Sequence, residues 1–132
     1  MYLVDSNVWL ERLLDQERSE DVGAFLARVP SDQLLITDFA FHSIAVILSR
    51  LKETGLLAQF VQDAFTDDGI GLVRLLPEET KRVLELAAQF NLDFDDAYQY
   101  AAAEKYDLQL VSLDSDFDRT DRGRKAPAEV LS

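Results

Sequence analysis

A chain of 132 residues has room for one core of ordinary size, and its balance of 48% hydrophobic and 29% charged residues belongs to a globular fold, not to a disordered or low-complexity segment. Without cysteine, and with a single histidine, it excludes disulfide frameworks, thiolate zinc sites, iron–sulfur clusters and His-Glu-x-x-His zinc motifs, so its chemistry must lean on carboxylates. Thirteen Lys and Arg against 25 Asp and Glu leave a net charge of −12. That sign argues against gripping phosphate backbones through a basic surface, unless converging acids hold a divalent cation that supplies the positive charge.

Tyr2-Leu3-Val4 reads as a short apolar strand ending at Asp5-Ser6-Asn7, and Val8, Trp9, Leu10, Leu13 and Leu14 then recur near helical spacing. Ser19 is placed to cap a second helix carrying Val22, Phe25, Leu26 and Val29, which Pro30 stops. Leu34-Leu35-Ile36 is a second strand. Thr37-Asp38 offers an N-cap to Phe39–Leu51, a segment apolar enough to predict a largely buried helix, closed by Gly55. A helix over Leu56 to Phe65, a turn at Thr66-Asp67-Asp68-Gly69 and a third strand from Leu72 to Leu76 follow. Pro77 opens a helix with Val83, Leu84, Leu86, Ala87 and Phe90 as its buried stripe, and Asn91 ends it. Asp95-Asp96 precede an alanine-rich helix from Ala97 to Tyr106. Leu108 to Leu113 is a fourth strand closed by Asp114-Ser115-Asp116, and a polar segment with Arg119, Arg122, Arg124 and Lys125 comes after it.

Strands that alternate with helices, and that are apolar throughout, predict an α/β fold: a parallel central sheet of four or five strands with helices on both faces. Ligands of such sheets bind beyond the carboxyl ends of the strands. Asp5 follows the first strand, Asp114 and Asp116 follow the fourth, and Asp96 stands at the mouth of the helix feeding the fourth, so right-handed crossovers bring all four to one edge. Carboxylates that close repel unless a cation sits among them, and hard oxygen donors suit magnesium or manganese. The chemistry implied is metal-assisted phosphodiester hydrolysis. Each acid also has a purely structural use: Asp5, and Asp95 or Asp96, as helix N-caps, and Asp114-Ser115-Asp116 as a solvated turn. The start, Met1-Tyr2-Leu3-Val4-Asp5, lacks a basic leader region, and no run approaches the ~18 apolar residues of a membrane span, so a cytoplasmic protein is expected.

The same residues resemble the PIN-domain family. The resemblance rests on Leu3-Val4-Asp5-Ser6-Asn7-Val8-Trp9 near the N-terminus, on Asp96-Ala97-Tyr98-Gln99-Tyr100-Ala101-Ala102-Ala103 opening a helix, and on Ser112-Leu113-Asp114-Ser115-Asp116-Phe117 closing a strand. In order and spacing these match over essentially the full chain. The resemblance implies a single PIN-like domain over residues 1–132 and a magnesium- or manganese-dependent ribonuclease that cleaves single-stranded RNA. In this family such a protein is most often the toxin of a VapBC-type toxin–antitoxin module, a homodimer held inactive by a small antitoxin. By resemblance, Asp5, Asp96 and Asp114 carry over as catalytic metal ligands, with Asp116 a fourth. Ser112 carries over as a hydrogen-bonding side chain beside the metal, and Asn7 as the residue that orients Asp5 or a bound water.

One departure stands out. The family places a Glu in the first turns of the helix after the second strand, where this chain reads Thr37-Asp38-Phe39-Ala40-Phe41-His42-Ser43-Ile44, and no Glu occurs between Glu20 and Glu53. Asp38 and His42 lie four apart on one helix face, so either is a candidate to reach the metal instead. The alternative is a PIN-like module that has lost catalysis and serves a protein partner. For Arg119, Arg122, Arg124 and Lys125 the two readings are guidance of an RNA backbone and a solvated loop. For Tyr98 and Tyr100 they are base stacking and packing.

Overall fold

Leu3 and Val4 are adjacent in the central strand, so their side chains point to opposite faces of the sheet, and both are fully buried. Only a sheet covered on both faces produces that pattern. The computed structural model, which describes residues 1–131, runs β1 (Tyr2–Val4), α1 (Ser6–Leu13), α2 (Ser19–Arg28), β2 (Leu34–Thr37), α3 (Asp38–Arg50), α4 (Thr54–Ala64), β3 (Gly71–Val73), α5 (Thr80–Phe90), α6 (Phe94–Tyr106), β4 (Gln109–Val111) and α7 (Pro127–Val130). The fold is α/β, as the alternation of elements predicts.

The four strands are all parallel, in the order β3-β2-β1-β4. Beyond β4 an isolated parallel bridge joins Val111 to Lys125, so the expected four or five strands resolve to four among the described residues. One face buries Leu3 and Leu110 against Val83 and Leu86 of α5 and Ala97, Ala101 and Ala102 of α6. The alanines let α6 lie close to its neighbours. The other face buries Val4, Leu34, Ile36 and Val111 under Val8 and Trp9 of α1, Phe25 of α2, Ile44 and Leu48 of α3 and Phe60 of α4.

From β1 the chain steps outward to β2 and β3, then returns across the sheet to β4 on the other flank of β1. The carboxyl ends of β1 and β4 therefore border the point where the winding reverses, the usual place for a ligand crevice. The pairing Val4↔Val111 carries on past the strands, with the Asp5 N–H donating to the Val111 carbonyl at 2.9 Å, and so sets Asp5 beside Ser112.

Several local expectations change. Ser19 is the first residue of α2 and not its cap; its hydroxyl accepts from Arg12 Nη1 at 3.2 Å. The chain turns after α3 at Lys52, whose φ of 60° takes the left-handed conformation, and Gly55 lies inside the first turn of α4. Pro77 opens a single 3-10 turn, Pro77–Glu79, before α5 begins. Val83, Leu86, Ala87 and Phe90 keep the i, i+3, i+4, i+7 face, whereas Leu84 falls off that stripe and is 57% exposed. α3 is covered along one face at Ala40, Ile44 and Leu48, while Val46 is 46% exposed, because only that face meets the sheet. Asp93, not Asp95 or Asp96, occupies the cap position of α6. Among the described residues no helix is long and apolar enough to cross a membrane.

Candidate functional site

β1 delivers Asp5 to the crevice, and α1 starts on it. Asp5 Oδ1 accepts the Ser6 N–H at 2.8 Å, which makes Asp5 the N-cap of α1, and also Gln99 Nε2 at 3.2 Å. Its Oδ2 accepts the Ser112 hydroxyl at 2.8 Å and Asn7 Nδ2 at 3.4 Å. Asp5 is 5% exposed, and burial pushes its carboxyl above the usual range against the pull of these bonds from Ser112, Ser6 and Gln99. The Ser112 oxygen in turn accepts from Asp114 N–H at 3.0 Å and Asn7 Nδ2 at 3.2 Å, and the Asn7 carbonyl accepts from Leu113 N–H at 3.1 Å. The ends of β1 and β4 are thereby stitched together.

Asp114 caps the 3-10 turn Ser115–Arg119, its Oδ1 accepting the Asp116 N–H at 2.8 Å, and the fully buried Phe117 pins that turn to the core. Asp96 lies in the first turn of α6. One carboxylate oxygen from each of Asp96, Asp114 and Asp116 falls within 4.8 Å of the others. The cost of this crowding shows at Asp96, whose pKa rises to about 7 through burial first and then through the charges of Asp114, Asp5 and Asp95. A cavity of about 170 Å³ opens here, lined by Asp5, Asn7, Ser43, Asp96, Gln99 and Asp114 among others, and no Lys, Arg or His of the described residues lines it. Crowded carboxylates with neutral oxygen-bearing neighbours fit a hard divalent cation such as magnesium or manganese.

The PIN-domain family model matches residues 2–123. This chain belongs to the PIN-domain family. Among solved structures, this PIN domain resembles a toxin–antitoxin complex from Klebsiella pneumoniae at 19% identity and TM-score 0.74, covering 98% of this chain and 99% of that one. It resembles a sarcin–ricin loop-cleaving VapC toxin of Mycobacterium tuberculosis at 15% identity and TM-score 0.76, covering 89% and 93%. It resembles FitAcB from Neisseria gonorrhoeae at 19% identity and TM-score 0.74, covering 96% and 98%. At these identities the likeness is one of fold. No curated protein matches the chain in sequence.

Within this PIN domain, neither α3 candidate reaches the acids. The α3 residues that line the cavity are Phe39, Ala40 and Ser43, the last two three apart on one face. His42, one residue before Ser43, points away, exposed, with its ring against Phe41. It lines a neighbouring groove with Val46 and Arg50. Asp38 spends Oδ1 on the Phe39 N–H and the Tyr98 hydroxyl, both at 2.7 Å.

The basic residues disperse too. Arg119 pairs with Asp116 at 3.4 Å and stays beside the acids. Arg124 pairs with Asp118 and donates to the Ser112 carbonyl at 3.1 Å, bracing the exit of β4. Arg122 is held at the opposite end of that strand by Asp107 and the Leu108 carbonyl. Lys125 contributes its backbone to the bridge with Val111 and leaves its side chain exposed. The Tyr98 ring packs on Phe39, and Tyr100 is buried with its oxygen accepting from Arg122 N–H, so both tyrosines serve packing. Two participants escape sequence reasoning: Gln99 and, beyond its role as a cap, Thr37, whose hydroxyl donates to Gln99 Oε1. The available signal is spacing, since Gln99 follows Asp96 by three positions on one helix face.

Proposed function

We propose that this PIN domain is a divalent-metal-dependent endoribonuclease, the toxin half of a toxin–antitoxin pair, cleaving single-stranded RNA in the cytoplasm with magnesium or manganese as cofactor. One observation carries the reading: Asp96, Asp114 and Asp116 converge beside the buried Asp5 at the switch point of a parallel sheet. Asp96, Asp114 and Asp116 would hold the ion, with Asp5 beside Asp96 and Asp114 on the cavity lining. When bound, the ion supplies an activated water and neutralises charge on the scissile phosphate. The chain's own part is geometric. Ser112 and Asn7 lock the Asp5 carboxylate, and the turn pinned by Phe117 presents Asp114 and Asp116. Arg119, drawn to Asp116, is the cation placed to meet an RNA phosphate.

The antitoxin reading draws support from neighbours whose structures are toxin–antitoxin complexes. A net charge of −12 suits a basic partner. The exposed apolar residues of α3, Phe39 and Val46, suit contact with a partner or with a second copy in a homodimer.

A second reading, a partner-binding module without nuclease activity, is favoured by the absence of any acid or imidazole from α3 among the described residues lining the cavity. Cleavage of a mixed single-stranded RNA pool, with magnesium, manganese or chelator, separates the two. Metal-dependent cutting by the parent that falls about 10-fold or more in Asp5→Asn and Asp96→Asn supports the nuclease, since loss of even a group that only orients a metal ligand costs about 10–100-fold. Intact RNA from natively folded parent protein would overturn it in favour of the module.

A further inference from the structure

Buried polar side chains among the described residues are Asp5, Ser19, Thr37, Gln99, Ser112 and Thr120, and four of these six form one hydrogen-bonded chain. It runs from Thr37 to Gln99 to Asp5, where Ser112 meets it from the other side. Gln99, 3% exposed, is its middle.

The direction of each bond is forced. Thr37 Oγ1 accepts the Ala40 N–H at 2.9 Å and still has its one proton to give to Gln99 Oε1, while the Asp5 carboxylate, an acceptor only, decides which end of the amide it meets. With that oxygen engaged, the carboxamide must turn its NH₂ to Asp5 Oδ1, because the flipped amide would set oxygen against oxygen. A carboxylate offers about four acceptor positions, and Asp5 has four donors: Ser6 and Gln99 on Oδ1, Ser112 and Asn7 on Oδ2. Ser6 and Asn7 are chain neighbours of Asp5, and Ser112 directly follows the adjacent strand β4. Gln99 alone comes from α6, the helix that carries Asp96.

We infer that Gln99 is a positioning residue for the acidic cavity: it fixes the plane of the Asp5 carboxylate and ties it to the helix bearing Asp96, while Thr37 sets the orientation of its amide. The inference rests on reading that cavity as a divalent-cation centre. A ligand cluster spanning 4.8 Å tolerates little drift, and groups that orient carboxylates around an ion act on its affinity without touching it.

The test is calorimetric titration of the full chain with Mn²⁺, for the parent, Gln99→Met, Thr37→Val, Thr37→Ser and the Gln99→Met/Thr37→Val double variant, each with native circular dichroism. Gln99→Met and Thr37→Val should each weaken binding by about 10–100-fold. Thr37→Ser, which keeps the hydroxyl, should match the parent. The double variant should bind no more weakly than Gln99→Met, because Thr37 acts through Gln99. Parent-like affinity in Gln99→Met, or full additivity in the double variant, overturns the inference and leaves the metal reading standing. Should Gln99→Met not fold, equal affinities in Thr37→Val and Thr37→Ser overturn it in the same way. A native parent that binds no Mn²⁺ removes both.

Discussion

Asp96 carries the mark of its acidic neighbours. Its carboxyl is pushed from 3.8 to about 7 by burial and by Asp114, Asp5 and Asp95. Between those two values the folded chain keeps a proton that the unfolded chain has lost, so stability falls as pH climbs through that window and levels off above it. Asp5, raised by its own burial, adds in the same direction. Thermal melts in chelator should therefore decline from about pH 4 to about pH 7, and Asp96→Asn, which cannot ionise, should decline less; parallel declines would contradict the assignment. At this scale Asp5 and Asp114 stand out in the sequence by their place after a strand end, whereas Asn7 and Ser112, which both donate to Asp5, are singled out only by the family resemblance. Gln99 was illegible because glutamine in an alanine-rich helix is an ordinary helix former, and its burial comes from tertiary contacts with Thr37 and Asp5.

Between residue and molecule, the 3-10 turn Ser115–Arg119 is the element on which the site depends most. It has few backbone bonds of its own and holds its place through the fully buried Phe117, next to Asp116 and three residues from Asp114. Phe117→Ala should cost about 3–5 kcal/mol in urea unfolding, the usual loss for a buried aromatic, and weaken Mn²⁺ binding by loosening both acids. Unchanged Mn²⁺ affinity in a destabilised variant would show that the turn is not what positions them. Elements with a single covered stripe, such as α5, were legible from spacing except at Leu84, which lies off the stripe. Apolar content predicts a largely buried α3 but does not say which of its faces the sheet covers, and a serine at the start of α2 caps it only if its hydroxyl is free to turn to the backbone.

The whole molecule is a sheet whose winding reverses between β1 and β4, with three carboxylates, Asp96, Asp114 and Asp116, gathered at that point. The alternation of apolar strands and helices makes the parallel sheet and its two covered faces readable, whereas the strand order and its reversal at β1 rest on tertiary packing that the alternation does not encode. An ion that binds the folded state alone stabilises it by mass action, about 2.7 kcal/mol at 100 times its dissociation constant, so Mn²⁺ should raise the melting temperature of the parent and not of Asp114→Asn. Equal shifts in the two proteins would place the ion elsewhere. The most direct measurement is anomalous diffraction from crystals grown with Mn²⁺. The account requires a peak between the carboxylates of Asp96, Asp114 and Asp116 beside Asp5; a structure whose manganese peaks all lie away from these acids, at saturating ion, would contradict it.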